Sequence, residues 1–146
     1  MASLVDTNIL VYCFDSRELA KRAQARELLR RGAAERTIQI PHQALIEFVS
    51  VVTRRKGYGN PLLPEEEAIR QAEGFMADFQ VLYPNERVFR TALLGMATYR
   101  LPWFDAQLWP YATHYGIPEL LSEDFGHGRR YGTVRVRNPF LLTDPA

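Results

Sequence analysis

Short apolar runs typical of buried strands alternate along the chain with longer stretches whose apolar residues recur at helical spacing. The strand-like runs are residues 4–5, 37–40, 81–82, 119–121 and 131–136. The helical stretches between them are residues 9–14, 16–32, 42–55, 64–79, 85–96 and 101–115. Because strands and helices alternate, we predict an α/β fold in which a parallel sheet carries helices on its faces.

Two of the helical stretches carry more specific expectations. Gly32 follows the last apolar residues of the second stretch, so we predict that it ends that helix. The stretch 42–55 is apolar almost all round, which predicts a helix buried on every side. Glu47 is its only charged residue before Thr53.

The length and composition limit the class of protein. A chain of 146 residues fits one domain, and we expect residues 1–146 to form it. The formal net charge of +1 gives no global basic field that would demand nucleic acid. Cys13 is the only cysteine, which excludes an internal disulfide and a CxxC metal site. No apolar run is as long as a membrane span, so we expect a cytoplasmic protein that does not bind membranes.

Carboxylates lie alone in apolar surroundings at three places. Asp6 is the only charged side chain in the first fourteen residues, Glu47 lies in its apolar helix, and Asp105 lies among the aromatic side chains of 101–115. Asp124 is the third residue after the fourth strand-like run. Since the carboxyl ends of parallel strands meet at one edge of a sheet, we predict that all four acids surround one cleft. The alternatives are a helix N-cap for Asp6 and a buried arginine partner for Glu47.

Four neighbouring carboxylates repel one another unless cations compensate their charge. Ligands that are all oxygen favour Mg²⁺ or Mn²⁺ over Zn²⁺. A carboxylate cage with one or two such ions suits phosphodiester hydrolysis, because the ions activate water and stabilise the attacking and leaving oxygens. The four acids therefore indicate a metal-dependent hydrolase.

In order and approximate spacing, the motifs around these acids resemble the PIN-domain ribonucleases, and within them the VapC toxins of bacterial type II toxin–antitoxin pairs. The motifs are Val5-Asp6-Thr7-Asn8, Glu47 in its helix, Phe104-Asp105-Ala106, Ser122-Glu123-Asp124 and the tail that follows to Asn138-Pro139-Phe140. The resemblance covers essentially the whole chain. It implies a three-layer α/β/α fold with a parallel sheet of about five strands.

The resemblance also implies an activity: a Mg²⁺- or Mn²⁺-dependent endoribonuclease that hydrolyses RNA with metal-activated water. The catalytic acids and metal ligands that it implies are Asp6, Glu47, Asp105 and Asp124. The supporting residues are Thr7, Asn8 and Glu123. Either Glu123 or Asp124 could face the metal, and the position relative to Ser122 favours Asp124. Such toxins are commonly homodimers and are silenced by a cognate antitoxin.

Basic residues and other functions leave alternatives open. Candidate phosphate contacts are Arg54, Arg55, Arg129 and Arg130, although exposed arginines are ordinary. A non-catalytic PIN-like module that binds RNA or protein is one alternative function, and a housekeeping RNA-processing nuclease is another. A haloacid-dehalogenase-like phosphatase is a third, but that chemistry requires a second Asp where Asn8 stands and a lysine for which only Lys56 is available.

Overall fold

A computed structural model describes residues 1–54 and 59–141, except for the side chains of residues 104 and 105. Its helices and strands follow one another in the predicted order. The strands are β1 (Ser3–Val5), β2 (Ile38–Pro41), β3 (Gln80–Leu82), β4 (Glu119–Leu121), β5 (Arg130–Tyr131) and β6 (Val134–Arg137). The helices are α1 (Thr7–Tyr12), α2 (Leu19–Glu35), α3 (His42–Thr53), α4 (Glu65–Asp78), α5 (Glu86–Tyr99) and α6 (Trp103–His114).

The strands form one sheet in the order β3-β2-β1-β4-β6-β5. The first five strands in this order are mutually parallel, and the two-residue β5 pairs with β6 in the antiparallel direction. The predicted α/β fold with a parallel sheet of about five strands is therefore confirmed, with β5 as a short addition at one edge.

Apolar side chains on both faces of the sheet are buried, which makes the fold three-layered. Val5 and Leu121 pack with helices α1 to α4 in one hydrophobic cluster, whereas Leu4 and Leu120 pack with α5 and α6 in a second cluster. Because successive side chains of a strand point to opposite faces, the two clusters lie on opposite sides of the sheet. None of the helices in the described part of the chain combines the length and apolarity needed to span a membrane.

Gly32 does not end helix α2, contrary to the prediction. The helix continues to Glu35 and ends at Arg36, whose backbone is left-handed with φ of 56°. A Cβ atom at Gly32 would lie 2.2 Å from Cδ1 of Ile38. The glycine is therefore required where α2 packs closely on β2, and not for a turn.

Two further local predictions are wrong. Residues 131–136 do not form one strand, because Gly132 adopts φ of 64° and turns the chain into the hairpin of β5 and β6. Helix α3 is not buried on every side, since Ile46 is 52% exposed. Its buried side consists of Ala44, Leu45, Phe48 and Val52, and Glu47 lies at the boundary between the buried and exposed sides.

Candidate metal centre

Adjacent strands β1 and β4 end together and bring their following residues to one edge of the sheet. Val5 pairs with Leu121, and the backbone N–H of Asp6 donates to the carbonyl oxygen of Leu121 at 2.9 Å. Asp6 then caps helix α1 in an extended conformation, with its side chain accepting from the backbone N–H of Thr7. The cap and the site are thus one arrangement, in which the cap directs the carboxylate to the carboxyl edge of the sheet.

The Asp6 carboxylate is 4% exposed, and both of its oxygens accept hydrogen bonds. Oδ1 accepts from the Thr7 backbone N–H at 2.6 Å, and Oδ2 accepts from the Ser122 hydroxyl at 2.6 Å. Burial raises the pKa of Asp6 to about 7; the two hydrogen bonds oppose the rise, and the charges of Asp124 and Glu47 add to it. A bound cation would favour the ionised form of Asp6 and offset the repulsion.

Glu47 is delivered to the same place by helix α3. Its Oε2 accepts from the Thr7 hydroxyl at 2.7 Å, and its Oε1 accepts from Gln43 Nε2 at 3.0 Å. Among the described side chains, no lysine or arginine forms an ion pair with Glu47. In this part of the chain, the arginine partner considered as an alternative role is therefore absent.

Asp124 joins the other acids through Ser122 and Asn8. The Ser122 hydroxyl donates to Asp6 and accepts from the backbone N–H of Asp124 at 3.1 Å, while Asn8 Nδ2 donates to Asp124 Oδ2 at 3.1 Å. The sequence motif Ser122-Glu123-Asp124 did not indicate that Ser122 bridges Asp6 and Asp124. The signal was a hydroxyl directly after a buried strand and two positions before an acid.

Glu123 is held by the neighbouring helices. Its Oε1 accepts from the Tyr12 hydroxyl at 2.5 Å, and its Oε2 accepts from Lys21 Nζ at 2.5 Å. Burial by itself raises the pKa of Glu123, but the bonds from Lys21 and Tyr12 outweigh it and hold the pKa below its ordinary value. Glu123 thus belongs to an ion pair with α2, while Asp124 lines the cavity described next.

A cavity of about 630 Å³ opens over this edge of the sheet. Asp6, Glu47 and Asp124 line it together with Thr7 and Asn8. Its apolar wall is formed by Val11, Val51, Leu62 and Leu108. We call this space the acid cavity; polar oxygens and apolar side chains meet there, as is usual in ligand sites.

The described residues supply the right donors for a hard cation but not a finished coordination shell. Within residues 1–54 and 59–141, no three acid, histidine or cysteine side chains are grouped so that they could hold a metal ion as they stand. Hydrogen bonds from Thr7, Ser122 and Gln43 occupy one lone pair on each oxygen of Asp6 and of Glu47.

Asn8 supplies an independent sign that the cavity fits a cation or its water. Its Oδ1 atom is buried and has no hydrogen-bond partner in the described structure. An amide oxygen is a hard donor of the type that Mg²⁺ and its bound waters use. Unpartnered buried acceptors are rare, so this oxygen, on a side chain that lines the cavity with Asp6, Glu47 and Asp124, fits a site for an oxygen-coordinated divalent ion.

The remaining predicted residues lie in several places. Asp105 belongs to helix α6, but its side chain lies outside the described part of the structure, as does the whole of Arg55. Arg54 follows α3 and donates to the hydroxyl of Ser50. Arg129 and Arg130 lie at the β5 hairpin and are not among the side chains that line the acid cavity; the guanidinium of Arg129 lies over the ring of Tyr131.

The sequence matches a known family over most of its length. The model of the PIN domain family matches residues 3–132. The chain belongs to the PIN domain family. This membership confirms the resemblance predicted from the acid motifs and sets aside the haloacid-dehalogenase-like alternative. No curated protein matches the chain.

Several solved structures share the fold of this chain. VapBC2 from Rickettsia felis, bound to a DNA fragment from the promoter, has 15% identity and a TM-score of 0.67, covering 94% of this chain and 98% of that one. DNA-bound VapBC from Salmonella typhimurium has 14% identity and a TM-score of 0.68, covering 95% and 98%. VapC20 from Mycobacterium tuberculosis, described as a sarcin-ricin-loop-cleaving toxin, has 15% identity and a TM-score of 0.62, covering 84% and 90%. At such identities the likeness shows the shared fold.

Proposed function

We propose that this PIN-domain protein is a Mg²⁺- or Mn²⁺-dependent endoribonuclease, the toxin of a toxin–antitoxin pair. The observation that carries the proposal is the burial of Asp6 beside Glu47 and Asp124 at one cavity, with no basic partner for Asp6 or Glu47 among the described ion pairs. Uncompensated acids are costly to bury, so their retention supports a cation-dependent role. The description of the M. tuberculosis neighbour as a sarcin-ricin-loop-cleaving toxin supports RNA as the substrate class.

Asp6, Glu47 and Asp124 would hold the ion, and Asp105 is proposed as a further ligand from its motif in the sequence. When bound, such an ion supplies a water of lowered pKa and stabilises charge on the attacking and leaving oxygens of the phosphodiester. The hydrogen bonds to these acids are compatible with this assignment, because a carboxylate oxygen that accepts one hydrogen bond keeps a second lone pair for a metal ion.

The chain's own residues orient the acids and limit access of water. Thr7 fixes Asp6 through its backbone and Glu47 through its hydroxyl, and Ser122 ties Asp6 to Asp124. Leu62 and Leu108 place apolar surface on the cavity wall, which limits the water near the acids and strengthens electrostatic interactions with a bound phosphodiester. We assign supporting roles to Thr7 and Asn8 and an anchoring role to Glu123.

Two protein partners belong to the proposal. The structural neighbours from R. felis and S. typhimurium are VapBC complexes, which supports a cognate antitoxin as partner here.

We also propose a homodimer. Helix α5 presents an exposed apolar face formed by Phe89, Leu93, Leu94 and Met96. Exposed apolar patches of this kind mark contact surfaces between proteins, so this face is the proposed dimer contact.

The experiment that tests the activity is cleavage of total cellular RNA by the purified protein with Mg²⁺, with Mn²⁺ and with EDTA. We expect cleavage with either ion, none in EDTA, and a loss of at least a hundredfold in Asp6→Asn. The matched control is Glu27→Gln, which removes an exposed acid paired with Arg30 on α2 and is expected to leave cleavage unchanged.

The outcomes separate the open functions. RNA binding without cleavage in either metal would favour a non-catalytic module. Cleavage that does not arrest growth on expression, and that no co-expressed antitoxin relieves, would favour an RNA-processing nuclease instead of a toxin. Equal cleavage by wild type and Asp6→Asn would contradict the proposed role of the acid cavity.

A further inference from the structure

Arg17 lies where the acid cavity continues into a second cavity. The second cavity has a volume of about 330 Å³ and is lined by Arg17, Arg54 and residues 59–62. Arg17, Val51 and Leu62 line both cavities, so the two are adjacent, and we call them together the groove. Among the described residues that line the acid cavity, Arg17 is the only one with a positive charge.

The guanidinium of Arg17 is held in place by a buried acid. Asp15 is 5% exposed and accepts from the backbone N–H of Arg17 at 3.0 Å, from its Nε at 2.9 Å and from its Nη2 at 3.0 Å. A guanidinium has five N–H donors, so this two-point contact leaves donors for another acceptor. The Arg17 side chain is 60% exposed, which makes those donors accessible. Its orientation is therefore fixed before any ligand binds.

Arg54 supplies a second guanidinium farther along the groove. It directly follows helix α3, and its Nη2 donates to the hydroxyl of Ser50 at 3.1 Å. Arg54 lines the second cavity but not the acid cavity. The groove thus runs from Asp6, Glu47 and Asp124 to Arg17, which Asp15 and Glu18 flank in the same lining, and on to Arg54.

We propose that Arg17 and Arg54 form a phosphate-binding subsite for single-stranded RNA, on which phosphates flanking the scissile one lie. This inference rests on the proposed ribonuclease function. A substrate whose scissile phosphate approaches Asp6 and Glu47 brings negative charge to an acidic wall, and its neighbouring phosphates require cations. Arginine meets this need with planar, two-point hydrogen bonding to phosphate oxygens.

Because Arg17 is paired with Asp15, the subsite would recognise a phosphate through the direction of the free N–H donors of Arg17 and not through a net positive charge. The pair is close to neutral as a whole, so general attraction of RNA is weak at this position. The group that accepts from the free donors of Arg17 could also be a carboxylate of another protein. The place of Arg17 in the lining of the acid cavity favours RNA, because a strand whose scissile phosphate lies in that cavity brings its neighbouring phosphates to the cavity wall.

The test measures equilibrium binding of a fluorescently labelled oligouridylate in the Asp6→Asn background, which suppresses cleavage, with Mn²⁺ present and at several salt concentrations. We expect Arg17→Ala to weaken binding about tenfold, as for loss of a charged hydrogen-bonded contact. The slope of log affinity against log salt should fall by no more than about 0.7, the full value for one phosphate contact on a single strand, because Asp15 offsets part of the charge of Arg17. Arg17→Lys should also weaken binding, because lysine keeps the charge and loses the planar fork.

The matched control is Arg30→Ala on helix α2. Arg30 makes the same forked contact with a neighbouring acid, through Nε and Nη2 to Glu27, and it is 69% exposed but lines neither cavity. Its removal should leave RNA affinity unchanged. Arg54→Ala should weaken binding in addition to Arg17→Ala.

The outcomes distinguish this inference from the function on which it rests. If the Asp6→Asn protein binds the oligouridylate and Arg17→Ala binds it equally well, the subsite is wrong and the ribonuclease proposal stands. If neither protein binds RNA and the wild type cleaves none, both proposals fail. If Arg17→Ala leaves RNA binding intact but abolishes binding of the antitoxin, Arg17 serves a protein partner instead.

Discussion

Neutralising Asp6 should stabilise the metal-free protein at alkaline pH, although it removes a buried hydrogen-bonding group. Burial and the neighbouring acids raise the pKa of Asp6 from 3.8 to about 7. This rise corresponds to about 4 kcal/mol by which the folded state favours the protonated form. That favourable contribution is fully present below pH 3.8 and is lost as the pH rises through about 7.

Asp6→Asn mimics the protonated carboxyl at every pH, but with a cost. The Asn oxygen can still accept from the Thr7 backbone N–H, but the Asn NH2 group then stands where Oδ2 accepts from the Ser122 hydroxyl, and the loss of that acceptor costs about 1–2 kcal/mol. We therefore expect the variant to be about 2 kcal/mol more stable than wild type at pH 8. At pH 5, where Asp6 of the folded wild type remains protonated, the variant should be no more stable than wild type.

The assay is urea unfolding of both proteins in EDTA between pH 5 and pH 8. Glu119→Gln is the matched control, because Glu119 is equally buried but accepts from Arg137 and Ser3. Burial raises the pKa of Glu119, yet Arg137 and Ser3 outweigh it and lower the pKa. Glu119 therefore stabilises the protein above its unfolded pKa of 4.5, and Glu119→Gln should be destabilising at pH 8.

One result would refute the reasoning about Asp6. If Asp6→Asn is less stable than wild type by the same amount at every pH, then its charge is not under strain in the folded protein. Asp6 would then act as a helix cap whose loss costs about 1 kcal/mol regardless of pH.

Three further predictions concern other parts of the molecule. Mn²⁺ well above its Kd should stabilise wild type by about 1–3 kcal/mol in thermal melting. Thr7→Val should lose most of this stabilisation, because Glu47 loses the hydroxyl that holds it. Full stabilisation of Thr7→Val would contradict the role of Thr7 in positioning Glu47. Lys21→Met should lower the free energy of unfolding by about 1 kcal/mol and weaken Mn²⁺ binding a few-fold, because the ion pair with Glu123 is lost. Unchanged Mn²⁺ binding would show that this ion pair does not position the acids of the cavity. Leu94→Glu should give a monomer in analytical ultracentrifugation, whereas Ile69→Glu on α4, similarly exposed, should leave a dimer; two dimers would place the contact elsewhere.

The order of strands and helices could be predicted because each has a periodic pattern that its own packing explains. Strand residues such as Leu4 and Leu120 are apolar since both faces of the sheet are covered. The roles of Gly32 and Gly132 were not predicted because each depends on the folded structure. Gly32 is required by its close contact with Ile38, and Gly132 by the positive φ of the hairpin turn. A sequence shows that a glycine is present, but not which close approach or backbone angle requires it.

The acids of the site were predictable because charge in apolar sequence has few physical explanations. Asp6, Glu47 and Asp124 come to one cavity, as expected from the strand ends. Gln43 was missed although it lies one helical turn before Glu47, at a spacing that the sequence shows. Lys21 was missed because its partner Glu123 is 102 residues away in the chain. Ordinary polar residues acquire such roles through tertiary contact, which composition and spacing do not encode.

Residues 6–8, at the N-cap and first turn of α1, connect the three described acids of the site. Asp6 is itself one of the acids, Thr7 binds Glu47 from α3, and Asn8 binds Asp124 from the segment after β4. A shift of this short helix would therefore displace all three acids together. Substitutions at Thr7 and Asn8 should consequently be non-additive in Mn²⁺ binding, since the loss of either contact already frees the geometry that the other maintains.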